Sequence, residues 1–383
     1  MSIHNTVKEA FRQRYGLEPE VMAEAPGRVE ILGNHTDYNE GLVLSAAVDR
    51  STVFAASRAP DDTCMVADGR SGSQRTFRLD ALDDPAPGDW ANYVKGLIVQ
   101  LQRRNIEVPP FRGVLLSNVP LSAGMSSSAA LEISAAYALG ALAGVDLPWI
   151  EWARMGQACE NEYVGANTGL LDQISSICGK KDHLVFSDFR TLDVVNTPLP
   201  EGVALVVANS MVRHTLTNEY NERRERCEEA VAVLQRSSEG ITALRDVSPE
   251  ELEACREAMD IIAYRRASHI VGENERVRVG AAALERGDVR AFGGLMTDSH
   301  ESSRLNFENS CPALDTLIEI GESLPGFLGA RLSGGGFGGI TIHLVEEDQA
   351  SRYAERLTAA YQSTTGKDPE TMICHAADGA RVL

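Results

Sequence analysis

The sequence predicts an α+β protein of two domains. Three observations predict it. At 383 residues the chain exceeds what one hydrophobic core usually serves. Its first half interleaves strand-like apolar runs with long helical segments. Its second half is mainly helical and closes on strand, glycine turn, strand and helix. A hydrophobic share of 43% with 24% charged residues is that of a globular chain rather than a disordered one.

Residues 6–15 have the spacing of a short amphipathic helix. Apolar residues then alternate from Val21 up to Pro26-Gly27, and a polar cluster follows, Asn34-His35-Thr36-Asp37-Tyr38-Asn39. Residues 42–47 and 51–56 resume the strand pattern, with a further short strand at 76–79. A helix starts near Trp90 and runs to about Arg104, and the apolar run 113–119 is a strand. Pro120-Leu121-Ser122-Ala123-Gly124-Met125-Ser126-Ser127-Ser128-Ala129-Ala130 then opens an alanine- and leucine-rich helix over 133–145. Asp146 and Pro148 have the residue types of a helix start, and Trp149, Trp152 and Met155 form a core stripe on the helix that follows to Tyr163. Residues 165–176 form a loop leading into a helix, and 183–186 and 203–208 are strands. Helices are expected over 218–235, 249–259, 267–286 and 311–323. Strand 329–332, the run Ser333-Gly334-Gly335-Gly336-Phe337-Gly338-Gly339, strand 340–345, a helix near 349–362 and a strand at 372–375 complete the chain. Glu222-Arg223-Arg224-Glu225-Arg226 has the charge pattern of a solvated helix face. Pro198 and Pro200 put the domain break near 195–205, dividing the chain into 1–200 and 201–383.

A net charge of −19 argues against nucleic acid or an anionic membrane as partner. Seven cysteines without CxxC spacing suggest reduced thiols, not a zinc site or a disulfide framework. The N-terminus lacks a basic segment followed by an apolar core, and the stretch 133–145 is too short to span a bilayer. The expectation is a soluble cytoplasmic protein, monomeric with a dimer as the alternative.

The chemistry is concentrated in three motifs. Strand, small-residue loop and helix is the arrangement in which free backbone N–H groups converge on an anion. Glycine, serine and alanine let a phosphate reach that backbone, and a serine hydroxyl suits magnesium, which prefers hard oxygen donors. No Gly-Lys-Ser/Thr follows, so residues 120–132 are not a Walker A loop. Taken singly, this loop also reads as a Ser-capped helix, the Asn34 cluster as a polar turn, and the 333–339 run as a flexible hairpin.

Together and in this order the motifs resemble those of the galactokinases, within the GHMP sugar and metabolite kinases. Residues 28–38 resemble the signature Gly-Arg-Val-Asn-Leu-Ile-Gly-Glu-His-Thr-Asp-Tyr. Residues 120–132 resemble the phosphate loop Pro-Leu-Gly-Ala-Gly-Leu-Ser-Ser-Ser-Ala, and 329–340 the third motif Gly-Ala-Arg-Met-Thr-Gly-Ala-Gly-Phe-Gly-Gly. Stretches 90–96, 160–175, 212–227 and 299–315 agree as well. The resemblance implies a mixed-sheet N-terminal domain, a C-terminal domain containing a ferredoxin-like element, and an active site between them. It implies ATP-dependent phosphorylation of the anomeric C1 hydroxyl of galactose.

The resemblance also implies roles. Asp172 matches the base that takes the anomeric proton, with Arg28 beside it. Ser128 and Glu160 match ligands of Mg2+. Arg28, Asn34, His35, Asp37, Gly169, Asp172 and Tyr220 match sugar-binding positions. Trp90 and Tyr93 match aromatics near the adenine, and Gly124, Met125, Ser126, Ser127 and Ser128 cradle the triphosphate. Without the resemblance, Asp172 reads as a helix N-terminal carboxylate, and Trp90 and Tyr220 as core or interdomain aromatics.

The chain departs from the family at Asn34, where galactokinases carry glutamate; losing that charge raises galacturonate, N-acetylgalactosamine or another hexose as alternative substrates. Leu305-Asn306 replace Asp-Asp, and Ser333 and Gly335 replace Thr and Ala. A sugar- and ATP-binding sensor without turnover is the remaining alternative, disfavoured by the intact Ser126 to Ala130 loop and Asp172.

Overall fold

The computed structural model describes residues 2–82, 85–120, 124–166, 168–212 and 217–383. The chain forms two compact units, each assembled from separate stretches. The first comprises Met1–Arg28, Ala47–Gly179 and Ala377–Leu383; the second comprises Val29–Ala46 and Lys180–Ala376. The strands Val21–Leu32 and Leu42–Arg58 therefore each contribute residues to both.

In the first unit the sheet runs in the order Arg381–Val382, Val21–Leu32, Leu42–Arg58, Phe111–Ser117, Thr63–Asp68, Gln74–Arg78. Thr63–Asp68 is parallel to Phe111–Ser117 and antiparallel to Gln74–Arg78, so the sheet is mixed. Helix Ile3–Tyr15 is capped by the Ser2 hydroxyl, which accepts from the Asn5 N–H, and ends on Gly16 in the left-handed conformation. Its Val7 and Phe11 pack on Val53, Ala55 and Val114. Helix Ser127–Ala143 is buried on almost every side, as its alanine and leucine content demands. Gly140 lets Trp152 lie directly on it. Trp152 and Met155 are buried, so the core stripe is real. Its helix, however, begins at Trp149 after Pro148, not at an Asp146 cap, and passes into a π-helical turn at Cys159–Val164.

The second unit holds a four-stranded antiparallel sheet in the order Met372–Cys374, Val203–Asn209, Ile340–Glu346, Phe327–Ser333. Helices Pro312–Glu322 and Ala350–Thr365 cover it through Leu317, Tyr353, Leu357 and Tyr361. A second core, around Leu234, Leu244, Ile270 and Phe307, joins helices Thr217–Leu234 and Ile261–Glu285. Also in this unit, residues 42–45 pair with His183–Asp188, which pairs in turn with Val194–Pro198. Residues 180–200 thus belong by contact to the second unit, whereas the sequence reading ended the first domain at 200. Pro198 ends a strand there and does not mark a linker.

Candidate active site

In the first unit, Asp172 lies in the first turn of helix Leu171–Cys178. Its hydrogen bonds show that it is more than a helix-terminal carboxylate. Arg28 Nε and Nη2 stand 2.7 and 2.5 Å from Oδ1, and the Ser126 hydroxyl donates to Oδ2. Arg28 Nη1 also donates to the Gly124 carbonyl at 2.7 Å, and the Arg28 N–H to the Met125 carbonyl at 3.1 Å. Gly27 is required for that approach, because a Cβ there would stand 2.7 Å from the Met125 oxygen.

Ser126 occupies the N-cap position of helix Ser127–Ala143 at φ +50°, yet its side chain makes no capping bond. The hydroxyl serves Asp172 instead, leaving the first-turn N–H groups without a side-chain acceptor. The ordinary Ser-capped helix is therefore not what this segment forms. Leu121, Ser122 and Ala123, which open the loop, lie outside the described residues, as do 213–216 of the 212–227 stretch.

Behind Asp172 stand two further carboxylates. Glu160 accepts from Thr168 Oγ1 at 2.6 Å and Gln173 Nε2 at 3.3 Å, and the Ser128 hydroxyl also bonds to it. Glu132 is fully buried; its Oε2 accepts from the same Gln173 Nε2 at 3.2 Å and its Oε1 has no partner among the described residues. Burial, then Asp172, raises the Glu160 carboxyl; burial, then Glu160, raises Glu132 well above the usual carboxylate range. Carboxylates crowded together with an oxygen unpartnered fit a hard divalent cation. Ser128 and Glu160 offer the oxygen donors. Among the described residues no three His, Cys, Asp or Glu side chains converge as a ready-made metal cage. Magnesium in kinases commonly takes one or two protein carboxylates and completes its shell with phosphate and water.

Tyr93 is half-buried, and its phenol is pushed up to about 12 by burial and then by Glu160 and Glu132. Trp90 is half-buried and its Nε1 has no hydrogen-bond partner among the described residues. Gly169 precedes the Asp172 helix and is partly buried.

The remaining sugar-signature residues lie in the second unit. His35 Nε2 is 3.2 Å from the Gly335 carbonyl and Nδ1 is 3.0 Å from the Tyr38 hydroxyl. Burial depresses its imidazole to about 4. A neutral ring with Nε2–H donating to the carbonyl satisfies both contacts. Tyr220 packs on His35 and Tyr38, at centroid distances of 5.3 and 5.2 Å, and Phe307 lies 4.7 Å from His35. Asp37 opens a 3-10 turn, Asp37–Asn39, beside this cluster.

Asn34 is 1% exposed. Its Nδ2 donates to Glu30 Oε1 at 2.9 Å and to the Gly334 carbonyl at 2.8 Å, while its Oδ1 accepts from Asn309 Nδ2 at 2.9 Å. Glu273 Oε2 accepts the backbone N–H groups of Gly33 and Asn34, each at 2.9 Å. Burial alone would raise the Glu273 carboxyl, but Arg276, His269 and Arg331 outweigh it and hold it below the usual range. The Asn34 amide is thus committed inward, and the carboxylate missing at 34 stands four residues earlier, at Glu30.

Sequence reasoning missed Glu30, Asn309, Glu132, Gln173 and Ser126 as a partner of Asp172. The signal for Glu30 was in the signature itself, which carries asparagine there. The charged stretch 222–226 is also not wholly solvated. Arg223 is buried, donates to the Phe307 and Glu308 carbonyls at 2.8 and 2.7 Å, and lies over the Phe337 ring. Leu305 is exposed in the π-helical turn Ser303–Phe307, and nothing in the structure explains its replacing aspartate.

The two units and their loops define a GHMP kinase. Residues 92–180 match the GHMP kinases N terminal domain and 281–363 the GHMP kinases C terminal domain. A mevalonate kinase from Methanococcus jannaschii shares the fold, with a TM-score of 0.64 at 19% identity over 93% of this chain and 98% of that one. Residues 9–58 match the galactokinase galactose-binding signature. A galactokinase of Roseiflexus sp. (strain RS-1) is 39% identical over 374 residues, 97% of this chain and 95% of that protein. The crystal structure of Lactococcus lactis galactokinase complexed with galactose superposes with a TM-score of 0.92 at 31% identity, covering 100% of both chains. The chain belongs to the galactokinase family.

Proposed function

We propose that the chain transfers the γ-phosphoryl group of ATP to the anomeric C1 hydroxyl of galactose, giving galactose 1-phosphate and ADP. The observation that carries this reading is the Arg28–Asp172–Ser126 arrangement beside an uncapped helix N-terminus, in a chain that matches galactokinases along almost its whole length. Phosphoryl transfer through a loose transition state needs in-line positioning and charge neutralisation more than a strong base. Asp172, oriented by Arg28 through Oδ1, takes the C1 proton as the new oxygen–phosphorus bond forms and the bond to the β-phosphate oxygen breaks. The first-turn N–H groups of Ser127–Ala143 receive phosphate oxygens, and Trp90 and Tyr93 flank the adenine. A magnesium ion held by Ser128 and Glu160 would supply charge neutralisation on the phosphates when bound.

His35, Asp37, Gly169 and Tyr220 are assigned to the sugar. Asn34 is assigned to shaping their surroundings, since both its N–H groups are used internally. That commitment, and the carboxylate retained on Glu30, remove the reason for expecting a uronic acid. A cytoplasmic setting fits seven cysteines that form no disulfide, and among the described residues no helix is long and apolar enough to cross a membrane. A monomer is the state this reading adopts.

The test is ADP release with magnesium-ATP against galactose, N-acetylgalactosamine, galacturonate, mannose and glucose. Galactose should give the highest kcat/KM. A clear preference for galacturonate would restore Asn34 as the specificity switch, and binding of galactose without turnover would favour a sensor.

A further inference from the structure

We propose that Glu30 is a positioning residue for sugar recognition and that it forms with Asn34 a reciprocally exchanged pair, whose carboxylate and amide are interchangeable only together. The KM arm of this inference rests on the galactose reading above; its stability arm does not.

All the groups concerned lie in the second unit. Glu30 Oε1 accepts two hydrogen bonds, from Arg331 Nη1 at 2.9 Å and from Asn34 Nδ2 at 2.9 Å. Glu30, Asn34 and Arg331 are 4%, 1% and 0% exposed, so water cannot replace any partner that is lost. The Glu30 N–H is held by Ser333 Oγ at 3.0 Å. From Glu30 the network reaches the glycine turn. Asn34 holds the Gly334 carbonyl, and Asn309 Nδ2 bridges Asn34 Oδ1 and the Gly335 carbonyl at 2.9 and 3.3 Å. The Gly335 carbonyl is in turn the partner of His35 Nε2. Gly334 at φ +80° and Gly336 at φ +82° have no side chain of their own to fix this turn. The amide of Asn34, with Asn309, supplies that constraint, and Glu30 fixes the amide.

The family signature has asparagine at the position of Glu30 and glutamate at that of Asn34. Exchanging both keeps one carboxylate and one amide beside Arg331. Exchanging one gives either two amides with a buried guanidinium that has lost its hydrogen-bonded carboxylate, or two carboxylates competing for it. Both are costly in a buried site.

The experiment is a double-mutant cycle on the full chain with Glu30→Asn, Asn34→Glu and the double variant, reading the melting midpoint and KM for galactose and for ATP. Each single exchange should lower the midpoint by about 5 °C or more and raise KM for galactose roughly tenfold or more. KM for ATP should stay within about twofold, and the double variant should recover most of both losses. Glu30→Gln, which keeps an acceptor for Asn34, should fall between the native protein and Glu30→Leu in KM for galactose.

Losses that simply add in the double variant, or a double variant that does not fold, would overturn the pairing. Singles that melt early while both KM values move together would overturn the positioning role, as would equal KM effects of Glu30→Gln and Glu30→Leu. If the native protein turns over no galactose while the melting cycle still shows recovery, the functional reading fails and the pair stands.

Discussion

At the scale of the residue, one serine illustrates how the site departs from its simplest reading. Ser126 has the residue type and position of a helix cap, but its hydroxyl donates to Asp172 Oδ2. A hydrogen bond to a charged group contributes about 1.5–3 kcal/mol. Ser126→Ala should therefore lower kcat by roughly 10- to 100-fold, with Arg28 still holding Oδ1. An unchanged kcat in steady-state assays would show that the bond does not orient the base. Asp172 and Arg28 were legible through the resemblance of their stretches to the family motifs; pattern alone gave Asp172 only as a carboxylate at a helix start. Ser126 as their partner was not, since the chain supplies it from 46 residues away. Asn34 was legible as a departure; the part of Glu30 was not, because a carboxylate and an amide four residues apart become partners only when the strand and its turn fold.

Among the elements, the glycine turn and helices Asn92–Arg103, Thr217–Leu234 and Pro312–Glu322 were read to within two residues, whereas Ser127–Ala143 and Ile261–Glu285 each begin six residues before the expected start. Helix Val289–Ser302 was missed, and its paired Gly293-Gly294 gives the reason. Adjacent glycines suggest a break, whereas Gly293 is there to admit a strand. A Cβ on it would strike the Leu328 carbonyl, and one on Gly329 would strike Gly293. Gly294 faces open space and is exposed. Gly293→Ala should thus lower the melting midpoint, at a cost on the order of 1–3 kcal/mol. Gly294→Ala, in the same helix, should raise it, by up to about 1 kcal/mol. Equal shifts in calorimetry would contradict this packing. The strands Thr63–Asp68 and Val194–Pro198 were not read from the sequence, and pairing defines them: the first lies parallel to Phe111–Ser117, far along the chain, and the second forms a hairpin with His183–Asp188.

Across the whole molecule, the presence of both helices and strands was legible in the order of elements and the mixed sheet through the family resemblance, but the division of the chain into two units built from separate stretches was legible in neither. Nothing local marks a strand such as Leu42–Arg58 as shared by two units. The units also differ in their response to pH. The second contains His35, His269 and His343, depressed by burial to about 4, 3 and 3. An unfolded histidine titrates near about 6.5, so between that value and the folded pKa the unfolded state binds more protons. The contribution of these residues is complete above about pH 6.5 and is lost as pH falls through 4. In the first unit, Glu132 and Glu160 are raised, so their contribution runs the other way and improves on acidification. Hydrogen exchange followed from pH 7 to 4.5 should show protection falling in the second unit before the first. Simultaneous loss would contradict the imidazole account.

The proposed reaction passes the γ-phosphoryl group of ATP to the C1 oxygen, with Asp172 taking the C1 proton. Phosphorus NMR of reaction mixtures containing magnesium-ATP and galactose, with the native protein and Asp172→Asn side by side, tests it most directly. Galactose 1-phosphate and ADP should accumulate with the native protein, and the variant should be slower by about 10²–10⁴-fold while still binding ATP. Phosphate on any other carbon, or 1-phosphate formed by the variant at a near-native rate, would contradict it.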